Sequence, residues 1–169
     1  MKNEIGIRSF VSSRVIPGIC LLALICLSAN TVFGTEWSGI DPLKSTRADV
    51  EKILGTPMTG PTQDGSLRFK VAGGVVTVFF VSARFVETKK LDPKLEGTVL
   101  EVVLQHDQSS DTPESLGLMG KKSFAPETVG NTTVYRDLTD GVSYTFVDGK
   151  LRTTRFTAST DRLARARKM

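Results

Sequence analysis

Polar and apolar positions alternate with two different periods along this chain, and the changes of period outline its elements. In 43–57 the apolar residues Val50, Ile53 and Leu54 stand three and four positions apart, which is the spacing of one helix face. Both ends of the segment are marked. Thr46 is placed to accept from the free N–H groups of a first turn, and Asp49 three residues on completes a capping box. Gly55 suits the position after the last turn, and Pro57 prevents continuation. The spacing predicts a short helix whose apolar stripe needs a cover.

Beyond it the period falls to two, and β-branched and aromatic residues take over. Leu67, Phe69 and Val71 alternate with Arg68 and Lys70, and Ala72-Gly73-Gly74 supplies a turn. Residues 75–81 are apolar on both faces, as in a strand sandwiched between layers. A third strand is predicted over about 98–105, with Leu100, Val102 and Leu104 inward and Glu101 and Gln105 outward. The stretch 87–97, holding Lys89-Lys90 and Asp92-Pro93, reads as a solvated loop.

The second half repeats this order. Thr112-Pro113-Glu114 opens one or two helical turns through Met119, with Gly120 after the end. Strands follow at about 132–137, 142–147 and 150–158, the last two joined by Asp148-Gly149, a two-residue hairpin signal. That register pairs Phe146 with Leu151 and Tyr144 with Thr153, yet drops Phe156 onto the opposite face, so either a bulge intervenes or both faces are covered. The expected architecture is α+β: an antiparallel sheet with short helices on one face, arranged as two tandem helix-plus-three-strand units at 35–108 and 109–159.

Residues 1–34 have the organisation of a secretory signal. Lys2, Arg8 and Arg14 precede an apolar stretch from Val15 to Ala29, shorter than the roughly twenty residues that span a bilayer and interrupted by Pro17-Gly18. Cleavage before Thr35 is expected, the alternative being an uncleaved N-terminal anchor. Cys20 and Cys26 lie inside the apolar stretch. The exported domain would therefore hold no disulfide, thiolate nucleophile or Cys-ligated metal, and its fold must rest on packing. Ile19 and Ile25 occupy the positions where a lipoprotein signal needs a small residue.

Composition adds bounds rather than a function. The chain has 169 residues, 40% of them hydrophobic, enough for one ordinary domain and too apolar for disorder. The net charge of +4 includes +2 from residues 1–34; in the remaining portion, at +2, the positive surplus sits in the last ten residues, where Arg162, Arg165, Arg167 and Lys168 face only Asp161. No nucleic-acid partner is implied. Membrane contact is confined to a weak attraction through this 160–169 tail, expected to be a frayed, solvated terminus.

The run Lys44-Ser-Thr-Arg-Ala-Asp-Val-Glu-Lys-Ile-Leu-Gly-Thr-Pro57, with Val76-Thr-Val-Phe-Phe80 downstream, resembles the SmpA/OmlA (BamE-like) family. The resemblance spans about fifteen residues and implies a helix-plus-sheet domain that is non-catalytic and acts as a scaffold or interaction module of the bacterial cell envelope. This chain departs from the family in lacking an acylated Cys and in carrying a second half. With that second half it looks like the related β-lactamase-inhibitor-like arrangement, in which two such units form a concave sheet that grips a protein.

Catalytic chemistry is sparse. His106 is the single imidazole, beside Asp107 at a strand end, and neighbours on a strand point to opposite faces, so the two cannot orient one another. Asp137-Leu-Thr-Asp140-Gly141 lacks the distal Glu of a calcium loop and reads as turn chemistry. Gly73-Gly74 has no Lys-Ser/Thr after it and reads as a hairpin turn rather than a phosphate cradle, and Trp37 near Ile40 reads as a core lid. The expectation is an exported, non-catalytic envelope module without cofactor or metal that binds a protein partner. Its candidate contacts are Arg68, Lys70, Glu101, Tyr135 and Tyr144. The alternatives are a small secreted hydrolase with a site near His106 and Asp107, and an inhibitor of a periplasmic enzyme.

Overall fold

A computed structural model describes residues 36–167, so the signal-like segment lies outside the described residues. In chain order the elements are α1 (Arg47–Leu54), β1 (Leu67–Val71), β2 (Gly74–Phe80), α2 (Ala83–Lys89), a 3-10 turn (Pro93–Leu95), β3 (Val99–His106), β4 (Ala125–Val129), β5 (Thr132–Asp137), β6 (Val142–Val147), β7 (Lys150–Thr157) and α3 (Thr160–Arg165). The strands make one seven-stranded sheet in the order β1-β2-β3-β7-β6-β5-β4, with every neighbour antiparallel. The fold is α+β.

Helix α1 forms as its punctuation dictates. The Thr46 side chain accepts from the Asp49 N–H, the Asp49 carboxylate accepts from the Thr46 N–H at 2.8 Å, and Gly55 closes the helix at a φ of 81°. Val50 is fully buried against Leu67, Phe69, Val76 and Val78, while Ile53, expected on the same stripe, stays at the surface. The β1–β2 hairpin turns at Ala72-Gly73, with Gly73 at a φ of 80°. Gly74 has a different reason to be glycine: a Cβ there would sit 1.9 Å from the carbonyl oxygen of Gln105 on the neighbouring strand.

The second half departs from a repeat of the first. Residues 112–124 form successive turns instead of a helix. Thr112 and Ser115 bond reciprocally, each side chain accepting from the other's N–H, and Gly117 then takes a φ of 61°, so the single turn does not propagate. This irregular segment still does the helix's work, laying Leu116, Leu118 and Phe124 over Tyr135, Tyr144, Phe146 and Leu151. Strand β4, unmarked in the sequence, adds a fourth strand at the sheet edge. Its Pro126 is tolerated there because an edge strand has N–H groups that need no ladder partner.

Two further segments are more ordered than expected. The first residues of the supposed loop 87–97 belong to α2, capped by the Ser82 side chain, and a 3-10 turn follows. The tail is not frayed through its first turns. Helix α3 is capped by Ser159, packs a half-buried Leu163 against the cluster of Leu43, Val81, Val86 and Leu91, and ties Arg162 to the Asp41 carboxylate and the Pro42 carbonyl. Helices α2 and α3 thus gather at the end of the sheet where β2 and β7 finish and β3 begins.

The β6–β7 hairpin settles the placing of Phe156. Phe146 pairs with Leu151, but a bulge at Arg152 shifts the next pairs to Thr145 with Thr153 and Tyr144 with Thr154. Phe156 therefore returns to the covered face, where it lies opposite Val142 and 6.4 Å from the Trp37 ring.

Two stability differences follow, both read as urea unfolding. Phe69→Ala removes a fully buried ring from the cluster under α1 and is expected to cost about 3–5 kcal/mol. Gly74→Ala is expected to cost more than Gly73→Ala, because a backbone clash with Gln105 must be relieved by separating β2 from β3, whereas Gly73→Ala strains only a turn.

Candidate interaction surface

Strand alternation divides the sheet into a covered face and an open one. Reading the register across the strands, one row of the open face runs Arg68, Thr77, Val103, Arg155, Ser143, Arg136, and the adjacent row runs Lys70, Val75, Gln105, Thr153, Thr145, Val134. Six strands at ~4.8 Å spacing carry these rows across roughly 24 Å. Helix α1 and the 112–124 segment pack on the other face, and of these twelve residues only Val103 is buried. Strand β2 is therefore covered on one side, not sandwiched. Val75, Thr77 and Phe79 remain partly exposed.

The surface is a carpet of hydroxyl and aliphatic side chains with basic groups set at intervals. Arg155 reaches the Glu101 carboxylate at 2.7 Å, Lys70 reaches Asp107 at 2.7 Å, and Arg136 pairs with Glu127. The Arg68 guanidinium has no ion pair or hydrogen bond among the described residues. Exposed pairs of this kind contribute about 0–1 kcal/mol, so they hold cationic side chains in defined positions more than they hold the fold together.

The five sequence candidates fall on both faces. Arg68, Lys70 and Glu101 project from the open face. Tyr135 and Tyr144 do not: both lie on the covered face. Tyr135 is buried edge-on to Phe146 at 5.7 Å and donates its hydroxyl to Met119 Sδ at 3.3 Å. Tyr144 lies 5.9 Å from Phe124, and burial pushes its phenol above the ordinary range. Arg136 and Arg155, one position away from these faces in the pattern, are the open-face groups that sequence reasoning missed. The parity of β5 and the bulge in β7 were the signals that would have found them.

His106 lies on the covered face, with Nε2 3.0 Å from Thr154 Oγ1. Asp107 turns the other way to Lys70. Ser109 donates to the Asp111 carboxylate at 2.9 Å, so the serine is bonded to the acid and the imidazole to a threonine, a pairing unlike the serine–imidazole–carboxylate relay. At the other end of the sheet, Asp137 Oδ1 accepts from the N–H groups of Thr139 and Asp140 at 3.0 and 3.1 Å, which is turn chemistry. Among the described residues no group of three His, Cys, Asp or Glu converges as metal ligands, and no helix is long and apolar enough to cross a membrane.

Comparison of the chain with protein-family models, curated proteins and solved structures finds no match.

Burial lowers the His106 pKa from its ordinary value of about 6.5, and the nearby Asp111 carboxylate partly opposes the shift. The unfolded chain then binds the proton more readily than the folded one, so this contribution to stability is full above pH 6.5 and is lost as the pH falls through that value. Urea midpoints between pH 7.5 and 5.5 should decline in the parent chain and decline less in His106→Gln.

Proposed function

We propose that this chain is a non-catalytic protein-binding module of the bacterial cell envelope, working through the open face of its sheet. The observation that carries the reading is the one-sided cover: α1 and the 112–124 segment close one face, leaving the other as a continuous, preformed platform with Arg68, Lys70, Arg136 and Arg155 standing on it. A platform of this kind needs no rearrangement to meet a partner, so little ordering cost opposes binding. Three of these cations are paired with Asp107, Glu127 and Glu101, so the face presents both signs of charge with Arg68 as its unpaired cation; a partner with charges at complementary positions, including an acidic group at Arg68, would gain orientation and association rate more than affinity.

The sheet edges are less suited to the task. The β1 edge is partly taken by the Met58 N–H, which donates to the Arg68 carbonyl at 2.7 Å, and the β4 edge is short and carries Pro126. Export is supported by the signal-like composition of residues 1–34, and the envelope setting by the likeness of 44–57 to SmpA/OmlA proteins.

Affinity capture from envelope fractions tests the proposal. The parent chain should retain a defined partner, and Arg68→Glu combined with Lys70→Gln, which touches only an exposed ion pair, should reduce retention at least tenfold with an unchanged melting curve. Retention undiminished in that variant would overturn the assignment of the surface. Turnover on ester or peptide panels that disappears in His106→Ala would overturn the non-catalytic reading.

A further inference from the structure

Where the open face meets the sheet end, the largely apolar hollow formed by α2, α3 and the β5–β6 turn is built like a small-molecule site. It has a volume of about 380 Å³ and is walled by Leu43, Phe85, Leu100, Leu138, Ala158 and Leu163. That volume lies at the small end of ligand pockets, which are mostly apolar with a few fixed polar groups. Here the three polar side chains in the wall are already engaged. Glu101 is held by Arg155 at 2.7 Å, Thr157 Oγ1 donates to the Gly141 carbonyl, and Thr160 Oγ1 donates to the Leu138 carbonyl. The wall therefore offers apolar contact and asks for no hydrogen-bonding occupant.

The two helices at the hollow are net basic, whereas the acids of the remaining wall are Glu101, which Arg155 holds, and Asp137 and Asp140 on the β5–β6 turn, where Asp137 caps the turn's own N–H groups. The helices that supply Phe85 and Leu163, with the residues that end them, carry Arg84, Lys89, Lys90, Arg162, Arg165 and Arg167 against Glu87 and Asp161. Their C-terminal ends are stitched together, Leu91 bridging Arg167 and the Asp92 N–H donating to the Ala166 carbonyl at 2.9 Å, which concentrates the cations at one corner. Arg162 is already held by Asp41, leaving the others to face solvent or a ligand. An apolar recess beside a basic corner fits a molecule with one aliphatic chain and an anionic head.

We propose that this hollow binds the hydrocarbon chain of a monomeric anionic amphiphile of the fatty-acid class, with its carboxylate toward the basic corner. The chain replaces water against Phe85, Leu100 and Leu163, and the head stays at the surface, where the arginines and lysines attract it without being desolvated. Leu138 is 72% exposed at the lip, so it can be changed without disturbing the core.

The test is isothermal titration of the purified full-length chain with octanoate, decanoate, dodecanoate, decanol and decyltrimethylammonium, all below their micelle concentrations. Affinity for the carboxylates should rise about fourfold per added methylene and then level off when the hollow is full. Decyltrimethylammonium should bind at least tenfold more weakly than decanoate. Leu138→Asp should weaken decanoate at least tenfold with an unchanged melting curve. Arg165→Glu with Arg167→Glu should remove the preference for decanoate over decanol while leaving decanol unchanged. Saturable binding that ignores Leu138→Asp, equal binding of cationic and anionic amphiphiles, or binding seen only above micelle concentrations would overturn the proposal, as would no binding at all.

Discussion

The ladder between β3 and β7 is the contact on which the rest of the molecule depends. It pairs Glu101 with Thr157 through Gln105 with Thr153, joining residues as far as 56 positions apart. Closing so long a loop costs entropy that no local element repays. The return comes from making one sheet of two local meanders, β1-β2-β3 and β4-β5-β6-β7. Val102 meets Phe156 on the covered face, Trp37 lies over that ring, and the Arg155–Glu101 pair crosses the junction on the open face. Without this ladder the two halves would be separate small sheets of three and four strands, each with its own buried cluster and a further exposed edge.

Cover on one side only is the second constraint, and it ties stability to the proposed role. The apolar residues of the covered face sit under two quite different lids, a capped helix over the first half and a string of turns over the second. Because the lids supply the burial, the opposite face is free to carry hydroxyls and charges with little energetic consequence. Side chains there can answer to a partner instead of to the core. The helices α2 and α3 complete the molecule at the sheet end, where Val86 is buried and the half-buried Leu163 faces the apolar hollow between them and the β5–β6 turn.

Local signals in the sequence were read faithfully by the fold wherever one short-range interaction decides the outcome. The capping box and Gly55 mark α1, alternation marks β1, β3, β5 and β6, and Asp148-Gly149 marks the hairpin. They failed where a segment is held by what lies against it. Ala83–Lys89 is too short to advertise a helix and is kept by Val81, Leu91 and Leu163. Ala125–Val129 has no strand pattern and is kept by pairing with β5, while 112–119 has helix punctuation and is diverted by Gly117.

The same division holds for the surfaces. Period-two alternation in a single strand was enough to put Arg68 and Lys70 together and away from Leu67 and Phe69, because adjacent side chains on a pleated backbone must point to opposite sides. It could not say that Tyr135 and Tyr144 share the covered face with Phe69. That relation passes through four strand pairings to reach Tyr144 and a fifth to reach Tyr135, and the bulge in β7 shows how a single extra residue reverses every face beyond it. Which residues alternate was determined by the chain alone; which side of the sheet each strand's pattern faces was decided only when long-range pairing set the registers.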